Sequence, residues 1–252
     1  ADHAVVVITG QAGRRMVDRA REAAMSVVEV GEPPDVVVGP DGVRFGWRGR
    51  TVMVNTGGRF TVANALVAAE LSAVLGIHED TVVEGLATAR PIPGRFELVP
   101  LEGGPQVVVD YAHTPDALRN ALGMLREFTS GKLHLVFGCG GDRDRGKRME
   151  MTRVACRGAD ESWATSDNPR TEQQEEIFCD MRKGLPKCSK VNFVEDRRRA
   201  ISLALDASDE EDCLLIAGKG HENYQEIDGV RHPFSDIEQA SLALQQWEAA
   251  HA

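Results

Sequence analysis

Charged residues that could grip a ligand gather in three short stretches of the sequence: Gly138-Cys139-Gly140-Gly141-Asp142-Arg143-Asp144-Arg145-Gly146-Lys147-Arg148, then Ser166-Asp167-Asn168-Pro169-Arg170, then Gly218-Lys219-Gly220-His221-Glu222. The second stretch puts an acid, an amide and a guanidinium side by side, and Pro169 restricts Asn168 to extended geometry. Such a turn suits a zwitterion. A guanidinium takes a carboxylate through two parallel hydrogen bonds, while Asp167 and, from the third stretch, Glu222 can take an ammonium. Read structurally instead, Asp167 would be an Asx-type cap for the helix that follows, which leaves Arg170 unexplained. The first stretch has the spacing of a phosphate-binding loop, Gly141-x-x-x-x-Gly146-Lys147. It departs from one where the chemistry matters: Arg148 follows the lysine, so no hydroxyl serves Mg²⁺, and Asp142 and Asp144 bring negative charge to the place of a phosphate. A solvated turn with Arg and Asp paired among themselves is the alternative. His221 has the residue type for proton transfer near neutral pH and equally that of a hydrogen-bonding loop histidine. Asp110, in Asp110-Tyr111-Ala112-His113, could take a pair of ribose hydroxyls or cap the next helix. Asn64 and Arg95 could each touch a ligand or make a structural hydrogen bond.

The elements that must position these stretches are legible in the apolar pattern. Short aliphatic runs alternate with amphipathic segments from about residue 107 onward, the pattern of a parallel sheet with crossover helices. Strands are predicted at Val107–Val109, Leu133–Phe137, Glu161–Thr165, Val191–Val194 and Cys213–Ala217. Helices are predicted from Thr114 as N-cap with Pro115 in the first turn, through Cys156, over Glu172–Met181, Arg197–Ala207 and Asp236–Ala249. Each charged stretch then follows a strand, and in open parallel sheets ligands bind outside the strands' carboxyl ends. Before Pro91 and Pro93-Gly94 the pattern is mixed. A strand is predicted at residues 5–8, a polar helix over Gln11–Ala24, and a hairpin from Val43 to Val54 with Arg48-Gly49 at its turn. A helix over Thr61–Leu75 is apolar almost all round, so burial on several sides is expected, and a second helix spans Glu79–Ala89. The prolines mark a linker near residues 90–95.

At 252 residues the chain is long enough for one large or two ordinary domains, and 42% hydrophobic with 27% charged residues excludes a disordered or fibrous class. A net charge of −10 disfavours nonspecific nucleic-acid binding, so an anionic ligand must be held by local basic clusters. No apolar run approaches the roughly 20 residues that span a bilayer, and no secretory signal leads the chain. Five cysteines without a Cys-x-x-Cys pair argue against a disulfide framework and a zinc site and fit a reducing cytoplasm; no metal ligands are assigned. The chain begins at Ala1 within a strand-like run, as a fragment of a larger protein would.

The ordered set Pro93-Gly94-Arg95-Phe96-Glu97, Asp110 to Asp116, Phe137 to Arg148, Asp167-Asn168-Pro169-Arg170 and Gly218 to Glu222 resembles the Mur ligase family, in its diaminopimelate-adding branch. The resemblance runs from about residue 1 to 249. It implies an α/β fold: residues 1–92 as the end of a central mixed-sheet ATP-binding domain, and 93–252 as a Rossmann-like C-terminal domain with a mostly parallel sheet. It implies an ADP-forming amide ligase of peptidoglycan synthesis, cytoplasmic and monomeric. ATP with Mg²⁺ would activate the D-glutamate carboxylate of UDP-MurNAc-L-Ala-D-Glu as an acyl phosphate, which the amine of meso-diaminopimelate attacks. By the same resemblance Arg143, Asp167, Asn168, Pro169, Arg170, Gly218 and Glu222 contact diaminopimelate, and Asn64, Arg95 and Asp110 contact ATP across a domain cleft. The family's phosphate loop, carbamylated lysine, metal ligands and UDP-binding domain would lie upstream, so no catalytic residue is named and the chain alone is expected not to turn over. Thr61 stands where the family usually has an asparagine, and Met149 where it has a proline. Two other readings compete: a non-catalytic relative acting as a scaffold or complex subunit, and a nucleotide-hydrolysing loop built on Gly141–Lys147.

Overall fold

The computed structural model describes residues 3–7, 10–39, 41–100, 104–186 and 190–251, so Ile8 of the first predicted strand and Cys188 lie outside the described residues. The chain divides into two compact units, Ala1–Pro91 and Ile92–Ala252. In the first, β1 (His3–Val7) and β2 (Ser26–Val30) pair in parallel, linked by α1 (Gly10–Glu22). β3 (Val37–Val38), β4 (Val43–Trp47) and β5 (Arg50–Val54) form an antiparallel sheet, and Arg48 and Gly49 turn the β4–β5 hairpin with φ of 47° and 74°, matching the right-handed strand twist. Period-two alternation buries Val43, Phe45, Trp47 and Val52 against α2 (Arg59–Val74) and α3 (Glu79–Thr88). Burial of α2 on several sides is not what the structure has. Val62, Ala65, Leu66 and Ala69 enter the core, while Phe60 and Leu71 are exposed, because the core of this unit meets one face of the helix.

The second unit runs β6 (Glu97–Val99), β7 (Gln106–Asp110), α4 (Pro115–Phe128), β8 (Leu133–Cys139), α5 (Gly146–Gly158), β9 (Glu161–Ser166), α6 (Gln174–Arg182), β10 (Val191–Phe193), α7 (Arg197–Asp206) and β11 (Cys213–Ala217). A hairpin, β12 (Tyr224–Ile227) and β13 (Val230–Pro233), and α8 (Asp236–His251) complete it. Its six-stranded sheet has the order β10-β9-β8-β11-β7-β6, with all neighbours parallel except the edge strand β6, antiparallel to β7. Alternate strand residues serve opposite layers. Leu133, Leu135, Phe137 and Leu215 pack with Leu118, Leu122, Met151 and Ile177 of α4, α5 and α6. Val107, Val109, Val136 and Ile216 pack with Ala200, Ile201, Leu205 and Leu244 of α7 and α8. Thr114 caps α4, its hydroxyl accepting from Ala117 N–H, and Pro115 occupies the first turn.

Because β7, β8, β9, β10 and β11 run parallel, the loops after β7, β8, β9 and β11 leave from one edge of the sheet. That edge is fixed by an ion pair with no solvent exposure. Arg197, first in α7, donates to Asp236, first in α8, from Nε and Nη2 at 2.8 Å each, and from Nη2 to the carbonyl of Ala217 at 3.0 Å. Breaking such a pair leaves a charge buried alone, so Asp236→Ala is expected to cost about 3–5 kcal/mol. Urea unfolding checks this, and the double variant Arg197→Met, Asp236→Leu is expected to recover most of the loss.

Candidate functional site at the carboxyl edge of the parallel sheet

The three charged stretches meet through backbone before they meet through side chains. After β8, the Gly141 N–H donates to the carbonyl of Asn168 at 2.9 Å, and a Cβ on Gly141 would overlap the carbonyl oxygen of Pro169. Arg170 Nη1 donates back to the Gly141 carbonyl at 2.7 Å. A Cβ on Gly140 would stand 3.1 Å from Arg170 Nη1 and 3.8 Å from Arg143 Cγ, so both arginines flank Gly140. After β11, Gly218 adopts φ of 121°, and a Cβ there would lie 2.7 Å from Asp167 Oδ2. Glycine lets the third stretch press against the second.

A buried guanidinium holds the first two stretches together. Arg148, fully buried, donates from Nη2 to Glu172 Oε1 at 2.7 Å and to the Gly140 carbonyl at 3.1 Å. Its Nη1 donates to Glu172 Oε2 at 2.9 Å and Asp180 Oδ2 at 3.0 Å. Glu172 also accepts from the Asp142 N–H and from Arg145. The Arg148 guanidinium, helped by the Asp142 N–H, holds the Glu172 carboxyl at about 2. Thus Arg145 and Arg148 pair with Glu172 from the next stretch rather than with Asp142 and Asp144. Asp142 accepts from Thr171, Asp144 accepts the Gly146 N–H at the start of α5, and Lys147 donates to the His113 carbonyl. Asp142, Asp144, Arg145, Lys147 and Arg148 are thus engaged by the protein's own groups.

Asn168 is 3% exposed and much of its amide is engaged. Its Oδ1 accepts from Lys219 Nζ at 3.1 Å and Glu226 N–H at 2.9 Å, and its Nδ2 donates to Glu222 Oε2 at 2.8 Å. Lys219, with no exposure, also donates to Glu222 Oε2 at 3.3 Å. β12 closes this side, its Glu226 carbonyl accepting from Arg170 N–H and its carboxylate 3.9 Å from Arg170 Nε. Arg170 itself has φ of 53°, in the left-handed region. Asp167 differs from all of these: 7% exposed, its carboxylate accepts no hydrogen bond among the described residues. It caps no helix, since Gln173 occupies the N-cap of α6. Of the expected diaminopimelate contacts, Asp167, Asn168, Pro169, Arg170, Gly218 and Glu222 come together at this edge, whereas Arg143 is exposed and reaches it through its Cγ beside Gly140.

The residues expected to face a nucleotide are placed differently. Arg95 is exposed and lies over the Tyr111 ring at 4.6 Å, with the His113 and His221 rings 4.6 and 5.5 Å from that ring. Asp110 Oδ2 accepts from Phe96 N–H at 2.9 Å, so its structural role is to pin the segment before β6 rather than to cap α4. Burial pushes its carboxyl up, and the Phe96 N–H pulls the other way. Asn64 is exposed on α2 of the first unit. Thr61 is buried and donates to the Gly57 carbonyl at 2.7 Å. Among the described residues no three His, Cys, Asp or Glu side chains converge as a metal site would require.

The family model described as Mur ligase, glutamate ligase domain, matches residues 94–220, half of the chain. The chain belongs to the Mur ligase family. It is 48% identical over 195 residues to the UDP-N-acetylmuramoyl-L-alanyl-D-glutamate--2,6-diaminopimelate ligase of Pseudomonas aeruginosa, covering 77% of this chain and 40% of that protein. It is 47% identical over 197 residues to the ligase of the same name from Ectopseudomonas mendocina, again covering 77% and 40%. A solved structure of a ligase of that name superposes with a TM-score of 0.63 at 34% identity, covering all of this chain and 54% of that one. The chain thus spans about 40% of the length of the curated relatives it matches.

This Mur ligase chain uses residues its motifs do not single out. Arg148 with Glu172, Arg197 with Asp236, Lys219, and the β12–β13 hairpin all shape the site. The hairpin had a signal, Asp228-Gly229 between two short strands, both residues with positive φ. The lysine had none, since a Lys beside glycines reads as solvated. No functional account attaches to Met149. Glu172 titrates from about 2 in the folded protein against an ordinary 4.5, so its stabilisation is complete above pH 4.5 and is lost as pH falls towards 2. Glu172→Gln is expected to melt below the wild type at pH 7, with the gap closing between pH 4.5 and 2 in thermal unfolding.

Proposed function

We propose that this chain is the amino-acid-receiving part of a ligase that adds meso-diaminopimelate to UDP-MurNAc-L-Ala-D-Glu with ATP and Mg²⁺, forming ADP. The observation that carries the reading is the meeting, at one sheet edge, of the Asp167 and Glu222 carboxylates with the loop that carries Arg170, held together by the contacts of Gly141, Asn168 and Gly218. An incoming ammonium gives the Asp167 carboxylate a charged donor. The far end of diaminopimelate carries an ammonium and a carboxylate on one carbon. Asp167 and the unengaged Oε1 of Glu222 take the ammonium, and Arg143 and Arg170 take the carboxylate. L-Lysine brings the ammonium alone and leaves both arginines unanswered. The names of the relatives support the same substrate.

For ATP, the residues present fit a supporting part. Arg95, exposed and braced on Tyr111, would meet a phosphate and Asp110 would take a ribose hydroxyl; Asn64, on the first unit, is proposed separately as a nucleotide contact. ATP supplies the phosphoryl group that activates the acceptor carboxylate. We assign the phosphate loop and the Mg²⁺ ligands to parts of the ligase outside these 252 residues, so the chain alone binds amino acid without turnover. We further propose that the ligase works as a cytoplasmic monomer; no helix among the described residues is long and apolar enough to cross a membrane.

Calorimetric titration of the chain with meso-diaminopimelate, with L-lysine as control, tests the reading. Diaminopimelate is expected to bind at least about a hundredfold more tightly, since a site built for a charged group rejects an analogue lacking it. Arg170→Ala is expected to remove most of that preference while leaving ATP binding to the complete ligase nearly intact. Unchanged amino-acid affinity in Arg170→Ala refutes the assignment.

A further inference from the structure

Lys219 is wholly buried at this edge, touches the proposed ligand residues and has no role in the reading above. Its ammonium is enclosed by Asn168 Oδ1 at 3.1 Å, Glu222 Oε2 at 3.3 Å and the face of Tyr224, whose ring centre lies 5.6 Å away. Two consequences follow. First, a cation on Oδ1 fixes which end of the Asn168 amide faces inward, so that Nδ2 donates to Glu222 Oε2 and Oε1 is left outward for a ligand. Second, Lys219 sets the charge of the pocket. Around Asn168 the ion-paired groups are Glu222 with Lys219 and Glu226 with Arg170, and the two pairs cancel. A ligand with two ammonium and two carboxylate groups has no net charge and suits a neutral site, whereas a diamino monocarboxylate carries +1.

Resting on the proposed amino-acid site, we infer that Lys219 is a positioning residue that sets its preference between neutral and cationic amino acids. Without that ammonium the pocket carries one net negative charge, which disfavours the second carboxylate of diaminopimelate and favours L-lysine. A merely structural lysine would weaken both ligands alike.

The test is titration of the full 252-residue chain, wild type and Lys219→Met, with meso-diaminopimelate and with L-lysine, each variant first checked by thermal unfolding. The ratio of the two dissociation constants is expected to shift towards lysine by at least about tenfold in Lys219→Met, about 1.4 kcal/mol of discrimination. Lys219→Arg keeps the charge and is expected to keep the ratio within about threefold, which carries the test should the methionine variant fail to fold. An unchanged ratio in folded Lys219→Met, or a collapsed ratio in folded Lys219→Arg, overturns the inference while the site reading stands. A wild-type chain that binds neither amino acid overturns both.

Discussion

A charge withdrawn from water must find an opposite charge or a set of donors, and this requirement organises the carboxyl edge of the sheet. Arg197 meets Asp236, Arg148 meets Glu172 and Asp180, and Lys219 meets Glu222 and Asn168. The arginine pairs span two elements, and Lys219 reaches Asn168 in the loop after β9, so satisfying the charges also sets how loops after different strands sit against one another. Within this arrangement the Asp167 carboxylate accepts no hydrogen bond among the described residues, and Arg170 lies in the loop that follows it, its Nη1 on the Gly141 carbonyl.

Glycine makes this arrangement attainable. Gly141 lets the first loop lie on the Pro169 carbonyl, and Gly218 leaves room for Asp167. Side chains at those positions would hold the loops apart, and the short hydrogen bonds between them would lengthen beyond use. The sheet supplies the remaining constraint, because parallel strands deliver their loops to one edge and two helical layers hold the strands from both faces.

Much of this was readable in the sequence. The alternating strands of the second unit, the Thr114-Pro115 start of α4 and the three charged turns all follow from local pattern, which depends on neighbours along the chain. What the sequence concealed depends on neighbours in space. Arg148 looked like one more solvated arginine, and its burial against Glu172 requires the approach of a loop 24 residues away. Arg197 and Asp236 are separated by 39 residues, and no periodicity links them. Lys219 sits among glycines, where solvation is the ordinary expectation, and only the packing of Tyr224 over it encloses the charge. The apolar face of α2 misled in the other direction, since apolar residues were present without a core to receive them within the first unit.

The central claim is that the Asp167 carboxylate after β9 takes the ammonium of an amino acid whose adjoining carboxylate lies on the two arginines. A crystal structure of the chain grown with meso-diaminopimelate examines it most directly. The account expects one ammonium within about 3 Å of Asp167 and the neighbouring carboxylate facing Arg143 and Arg170. Density for the amino acid elsewhere on the chain, or a bound molecule with Asp167 still lacking a donor, would contradict it.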